Sequence, residues 1–203
     1  YAQEGEVALR LATNAETAGA AQEKMAVVEA EIKRRIGQYL FAEEDIPLEH
    51  VVVSLLRARG KTVSVAESCT GGLLSALITS VPGSSQIFKG GFITYSNEMK
   101  QHLLDVPADL LEGEQAPGAI SAQTARKMAE GALAKSGSDY ALSATGVAGP
   151  DSVENKPVGL VFVGLASANH SESHEMQQTG SREIIRHRTA KHALYQLWLT
   201  LQS

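Results

Sequence analysis

Thiols are almost missing from this chain: Cys69 stands alone among 203 residues. No internal disulfide can brace the fold, so a reducing, cytoplasmic setting is expected. Long apolar runs are missing too. No stretch approaches the roughly 18 apolar residues that cross a bilayer, and no basic and apolar leader is read at the start, which leaves a soluble protein with no membrane partner. Positive charge is in short supply, with 18 Lys and Arg against 23 Asp and Glu and a formal net charge of -5. A field of that sign repels polyanions, so nucleic acid is not an expected partner, although a local basic pocket for one phosphate stays open. Metal-binding spacing is absent as well. His50, His102, His170, His174, His187 and His192 are scattered, with no His-Glu-x-x-His pattern and no cysteine pair, so no metal is expected.

What the chain does have is a globular composition, 43% hydrophobic and 20% charged. Its length suits one well-cored domain, or a domain of about 150 residues with a small appendage. It opens on Tyr1 instead of Met, and the expectation is a piece of a longer protein. Residues 6–11 alternate as a short strand would, and residues 16–39 carry Met25, Val28, Ile32 and Ile36 at near-helical spacing. One strand and one helix cannot enclose a core, so this segment needs a partner surface and a homodimer or larger assembly is expected. The acidic run Glu43-Glu44-Asp45 reads as a boundary. Two domains follow, residues 1–45 and 46–203.

In the second domain strands and helices alternate. Pro47 sits at the start of a helix with Leu48, Val51, Val52, Leu55 and Leu56 on one face and Gly60 as its stop. Strands are expected over 62–65, 88–95, 140–144 and 159–166, with a more polar edge strand over 172–179. Helices are expected over 72–79, over 121–136 between a Ser121 cap and Gly137, and from Arg182 onward with Leu194, Leu197, Trp198 and Leu201 as the buried stripe. The pattern predicts an α/β fold: a three-layer α/β/α sandwich on a mostly parallel or mixed sheet, with a small N-terminal α+β appendage.

Four constellations could carry chemistry. Ala66-Glu67-Ser68-Cys69-Thr70-Gly71-Gly72 lies at a strand end and opens a helix, where ligands collect in open α/β sheets and free N–H groups can meet an oxyanion or a phosphate. Ser68 would be its nucleophile; equally, Ser68 or Thr70 could be only a helix cap. Cys69 reads as an activated thiolate or, more plainly, as a small buried apolar side chain. Thr94-Tyr95-Ser96-Asn97-Glu98-Met99-Lys100 offers a second serine and a lysine able, when partly desolvated, to serve as a base with a tyrosine relaying the proton. Ser96 and Lys100 are four apart and could pair on a helix, so spacing does not choose between Ser68 and Ser96. The third, Thr145-Gly146-Val147-Ala148-Gly149-Pro150, permits close backbone approach to a ligand but lacks the P-loop and dinucleotide spacings, and a plain turn fits as well. The fourth is Gly180-Ser181-Arg182 with Arg186 one turn on, guanidinium groups suited to a phosphate or carboxylate. At about 100° per residue Arg186 falls within roughly 20° of Leu197, at the edge of the apolar stripe and not opposite it.

Taken with Pro82-Gly83-Ser84-Ser85, Gly91-Phe92-Ile93-Thr94-Tyr95-Ser96-Asn97-Glu98 and Lys156-Pro157-Val158-Gly159, these motifs resemble the C-terminal domain of the competence/damage-inducible CinA proteins over residues 46–203. The first 45 residues look like the small KH-like connecting domain that precedes it, without a G-x-x-G loop to imply RNA binding. The resemblance implies a nicotinamide-nucleotide amidohydrolase that converts nicotinamide mononucleotide to nicotinate mononucleotide and ammonia, with no metal or organic cofactor. It implies Ser68 as nucleophile and Tyr95 and Lys100 as its activating partners, with N–H groups near Thr70 to Gly72 at the oxyanion. It also implies substrate contacts from Glu67, Thr70, Gly71, Gly72, Asn97, Thr145, Gly146, Ala148 and Gly149, and phosphate contacts from Arg182 and Arg186. Two departures stand out. Ser152-Val153-Glu154-Asn155 replaces a glycine-rich turn, which is expected to touch affinity more than chemistry, and Ser181 stands where an Asp is frequent beside the phosphate arginine. The rival readings are a catalytically silent nucleotide-binding or regulatory module and a purely structural oligomerisation domain.

Overall fold

A computed structural model of the chain describes residues 2, 3 and 5–202. It divides into two compact units, Tyr1–Pro47 and Leu48–Ser203.

The first unit pairs β1 (Ala2–Gln3) with β2 (Glu6–Val7) in an antiparallel ladder, followed by α1 (Ala18–Ile36) and a 3-10 turn at Gly37–Tyr39. The strand expected over 6–11 is confined to Glu6–Val7, because β1 offers only two residues to pair with. Thr17 caps α1 by accepting the Ala20 amide at 3.2 Å. No residue of α1 is buried. Its surface is laced instead by ion pairs of Lys33 with Glu29 and Glu43, and of Arg34 and Arg35 with Glu31.

The second unit runs α2 (Leu48–Ala58), β3 (Val63–Glu67), α3 (Leu73–Thr79), β4 (Phe88–Ile93), α4 (Asn97–Leu104), α5 (Ala108–Leu111), α6 (Ala122–Ser136), β5 (Tyr140–Gly146), β6 (Leu160–Ser167), β7 (His170–Gln177) and α7 (Arg182–Thr200). The sheet order is β4-β3-β5-β6-β7, with β3 parallel to β4 and β5, and with β6 and β7 antiparallel to their neighbours. The α/β architecture is as the sequence pattern predicts, and the sheet is mixed. β3 and β5 are buried along most of their length, as expected for central strands covered on both faces.

Alternation along the strands assigns the two faces. Ser143 Oγ of β5 donates to the Ala125 carbonyl of α6, and Phe162 packs with Ala125, while Val161 packs with Ile185 of α7. Helix α6, flanked by α4 and α5, covers one face; α7, with α2 and α3 beside it, covers the other. The predicted stripe of α7 is buried throughout, with Leu194, Leu197 and Leu201 at 0% exposure. Helix α6 is capped as predicted, Ser121 Oγ accepting the Thr124 amide and Gly137 closing the end in the left-handed region at φ 64°. One buried ion pair, Lys191 to Glu49 at 2.5 Å, ties α7 to α2. Among the described residues, no helix is long and apolar enough to cross a membrane.

Candidate active site

The three parallel strands point their carboxyl ends to one edge of the sheet, and the loops that leave them surround a cavity of about 300 Å³. Ser68 arrives from β3, Tyr95 to Lys100 from β4, Thr145 to Gly149 from β5, and Arg182 from the start of α7. The antiparallel pair β6–β7 returns the chain to that same edge, since Leu160 at the start of β6 pairs with Gln177 at the end of β7.

Ser68 sits on an elbow whose backbone is fully directed. Its amide donates to the Ala144 carbonyl at 2.9 Å and its carbonyl accepts the Gly71 amide at 3.1 Å. Gly71 and Gly72 both take positive φ, 58° and 97°, so the chain turns from β3 into α3 through two conformations that side chains disfavour. Lys100 Nζ lies 3.1 Å from Ser68 Oγ, with 3.0 Å to the Thr94 carbonyl. Its side chain is 1% exposed. Burial pushes its pKa below that of a free lysine, and the Glu154 carboxylate acts in the opposite direction. Of the two serines that spacing left open to Lys100, the structure brings Ser68 to it. Ser96 is the N-cap of α4, its Oγ accepting the Met99 amide at 3.2 Å, and Lys100 turns to Ser68.

The family described as CinA C-terminal domain matches residues 45–201, and that described as the damage-inducible protein CinA KH domain matches residues 1–42. The chain belongs to the CinA family. A CinA-like protein of Dictyoglomus thermophilum is 45% identical over 195 residues, 96% of this chain and 47% of that protein. A CinA-like protein of Dictyoglomus turgidum is 46% identical over 187 residues, 92% of this chain and 45% of that protein. The chain thus spans about half the length of the curated relatives it matches. Among solved structures, the competence/damage inducible protein CihA from Agrobacterium tumefaciens superposes with a TM-score of 0.72 at 38% identity, covering 77% of this chain and 94% of that one. A CinA superfamily protein from Klebsiella pneumoniae gives 0.73 at 31% identity, covering 76% and 96%.

Several residues carried over from the CinA resemblance do something other than expected. Glu67, expected at the substrate, is wholly buried and caps α3, accepting the amides of Gly72 (2.9 Å), Leu74 (3.0 Å) and Ser75 (2.8 Å) and the Ser75 hydroxyl (2.6 Å). A carboxylate at a helix start outcompetes any ligand for those donors. The Gly71 and Gly72 amides are therefore taken by Ser68 and Glu67 and do not serve an oxyanion. Arg186, expected at a phosphate, donates to the Cys69 carbonyl at 3.1 Å and the Thr70 carbonyl at 2.6 Å, bracing the elbow from behind. Thr70 is fully buried, and its Oγ1 has no hydrogen-bond partner among the described residues. Cys69 is buried too, and burial pushes its thiol up to about 12, so it is a protonated, unreactive side chain.

Tyr95, Asn97, Thr145, Gly146, Ala148, Gly149 and Arg182 do line the cavity. Arg182 donates to the Gly149 carbonyl (2.5 Å) and to Tyr95 Oη (2.9 Å), closing one side of the mouth. Ser181 caps α7 by accepting the Ile184 amide at 3.3 Å. Thr145 Oγ1 donates to the Ala119 carbonyl at 2.7 Å. The cavity is also lined by Ala119, Ile120 and Asp151, which sequence reading passed over as site residues, and by Val153 and Glu154 of the stretch expected to touch affinity. No motif marks Ala119, and it meets Glu154 only because the fold closes a gap of 35 residues.

Proposed function

We propose that this CinA-family chain hydrolyses the carboxamide of nicotinamide mononucleotide to nicotinate mononucleotide and ammonia. The observation that carries the reading is the buried Lys100 ammonium nitrogen 3.1 Å from Ser68 Oγ. A desolvated lysine is more readily neutral than a free one, and a neutral amine at that distance can take the serine proton. Ser68 Oγ then attacks the carboxamide carbon. As the tetrahedral intermediate collapses, Lys100 returns the proton to the nitrogen, the C–N bond breaks and ammonia leaves. Water, deprotonated in turn by Lys100, cleaves the resulting ester to release the carboxylate and restore the serine hydroxyl. Because Arg182 donates to Tyr95 Oη, the phenolic proton is left to point into the cavity, where it can stabilise the developing oxyanion. Arg182 itself supplies positive charge at the mouth for the phosphate.

The test is ammonia release from nicotinamide mononucleotide, measured with and without a chelator. We expect chelator-insensitive turnover that falls by at least about a thousand-fold in Ser68→Ala and Lys100→Met. Undiminished turnover in Ser68→Ala would sink the mechanism, and nucleotide binding by calorimetry with no ammonia from the wild type would favour the silent binding module instead.

A further inference from the structure

Residues 151–156 form one wall of the cavity, and their backbone is unusual. Val153 and Lys156 pair as an antiparallel bridge, each amide donating to the other's carbonyl (3.3 and 2.9 Å), around a two-residue turn. Both central residues, Glu154 and Asn155, have positive φ, 54° and 57°. This is the I′ form of hairpin turn, whose usual occupants are Asn, Asp and Gly. A glutamate in that conformation is an outlier that asks for a reason.

The carboxylate supplies one. Glu154 Oε1 accepts the Ala119 amide at 3.0 Å, and Oε2 accepts the Ile120 amide at 3.3 Å and Lys156 Nζ at 2.9 Å. Lys156 Nζ also donates to the Pro117 carbonyl at 2.6 Å. Gly118 takes φ 87°, and a Cβ there would run into the Glu154 carboxylate, so the glycine makes the approach possible. The segment receiving these bonds is immobilised from its other side. Ser121 Oγ and Thr124 Oγ1 of the α6 cap donate to the Gly118 carbonyl, and Thr145 Oγ1 holds the Ala119 carbonyl. Among the described residues, every side-chain hydrogen bond made by residues 151–156 comes from Glu154 or Lys156. Remove those two side chains and the turn keeps only its own internal pairing.

We infer that Glu154 is a positioning residue: with Lys156 it latches the 151–156 turn onto the fixed Ala119–Ile120 backbone and so sets the wall against which the nucleotide binds. The inference rests on the amidohydrolase reading for what binds there, though not for the latch itself. An outer wall that is held by one carboxylate and one ammonium can be released without touching Ser68 or Lys100, so its loss raises KM while leaving the chemical step in place.

Two measurements on the whole chain test it, one of them independent of turnover. Hydrogen exchange at the Ala119 and Ile120 amides should accelerate at least about ten-fold in Glu154→Ala and less in Glu154→Gln, which keeps one acceptor oxygen. KM for nicotinamide mononucleotide should rise about ten-fold in Glu154→Ala and in Lys156→Met with kcat within about three-fold, and Glu154→Gln should recover part of the loss. The ascending pH limb of kcat/KM should also move to lower pH in Glu154→Ala. The charge that bears on Lys100 is the Glu154 carboxylate; Cys69 beside it is a neutral thiol, and Asp151, Tyr95 and Arg182 also line the cavity, and removing a nearby negative charge favours the neutral lysine. A merely structural latch would leave that limb unmoved. Unchanged exchange at both amides, or faster exchange with KM and the pH limb unchanged, overturns the inference. If the wild type releases no ammonia, the amidohydrolase reading fails alone, and the calorimetric Kd of the nucleotide for the same variants replaces KM; an unchanged Kd then overturns the latch.

Discussion

On the β3–α3 side of the cavity a wholly buried carboxylate, Glu67, accepts four hydrogen bonds, and Arg186 fastens two carbonyls of the same elbow. On the facing side the Tyr95 ring is 60% exposed, Arg182 reaches it across open surface, and the 151–156 turn hangs on Glu154 and Lys156. The difference separates two tasks. In the proposed reaction the nucleophile must be held within tenths of an ångström of its base, which a buried and densely hydrogen-bonded network provides. A surface that admits and releases a nucleotide must cost little to rearrange, which solvent-exposed charge pairs allow.

The contrast can be broken by single substitutions. The largest effect belongs to Glu67→Ala, which strands three amides and a hydroxyl at the start of α3. We expect a loss of about 3–5 kcal/mol in urea or guanidinium unfolding, together with the activity, because elbow and nucleophile fail as one. Arg186→Leu removes the two donors behind the elbow and should cost about 1–3 kcal/mol, with kcat falling more than KM rises. Tyr95→Phe, on the exposed side, should change stability by less than about 0.5 kcal/mol while lowering kcat about ten-fold or more through the lost hydroxyl. A Tyr95→Phe protein that unfolds as easily as Arg186→Leu, or a Glu67→Ala protein as stable as the wild type, would erase the distinction between the two walls.

Much of the frame was legible before any coordinates. The α6 caps at Ser121 and Gly137, the apolar stripe of α7 and the central strands β3, β5 and β6 all follow from local pattern, because a cap or a buried stripe is a relation among near neighbours. The antiparallel direction of β6 and β7 was not legible, since an apolar run looks alike in either orientation. Helices α4 and α5 were passed over too; at 8 and 4 residues they are too short to show a period. At the site, the angular position of Arg186 on α7 correctly placed it off the solvated face, but its partners could not be read. A guanidinium suits phosphate and carbonyl oxygens alike, and only the fold shows that the Cys69 and Thr70 carbonyls lie in its path. The Ser68–Lys100 pair spans 32 residues and entered through family resemblance, not spacing. The 152–155 stretch was expected to touch affinity, but the part Glu154 plays in it was not legible, because Glu-Asn is not the sequence by which an I′ turn announces itself.

The hairpin from β6 into β7 turns at Ala168 and Asn169, at the edge of the sheet away from the cavity. Out and back in two strands, the chain delivers Arg186 beside an elbow that lies more than a hundred residues earlier, without the crossover helix that another parallel strand would have required. The near edge is consequently crowded with obligations, each loop committed to the cavity or to its bracing. The far edge, where the chain turns at Ala168 and Asn169, lies at the opposite ends of the same strands, a full strand length from the cavity.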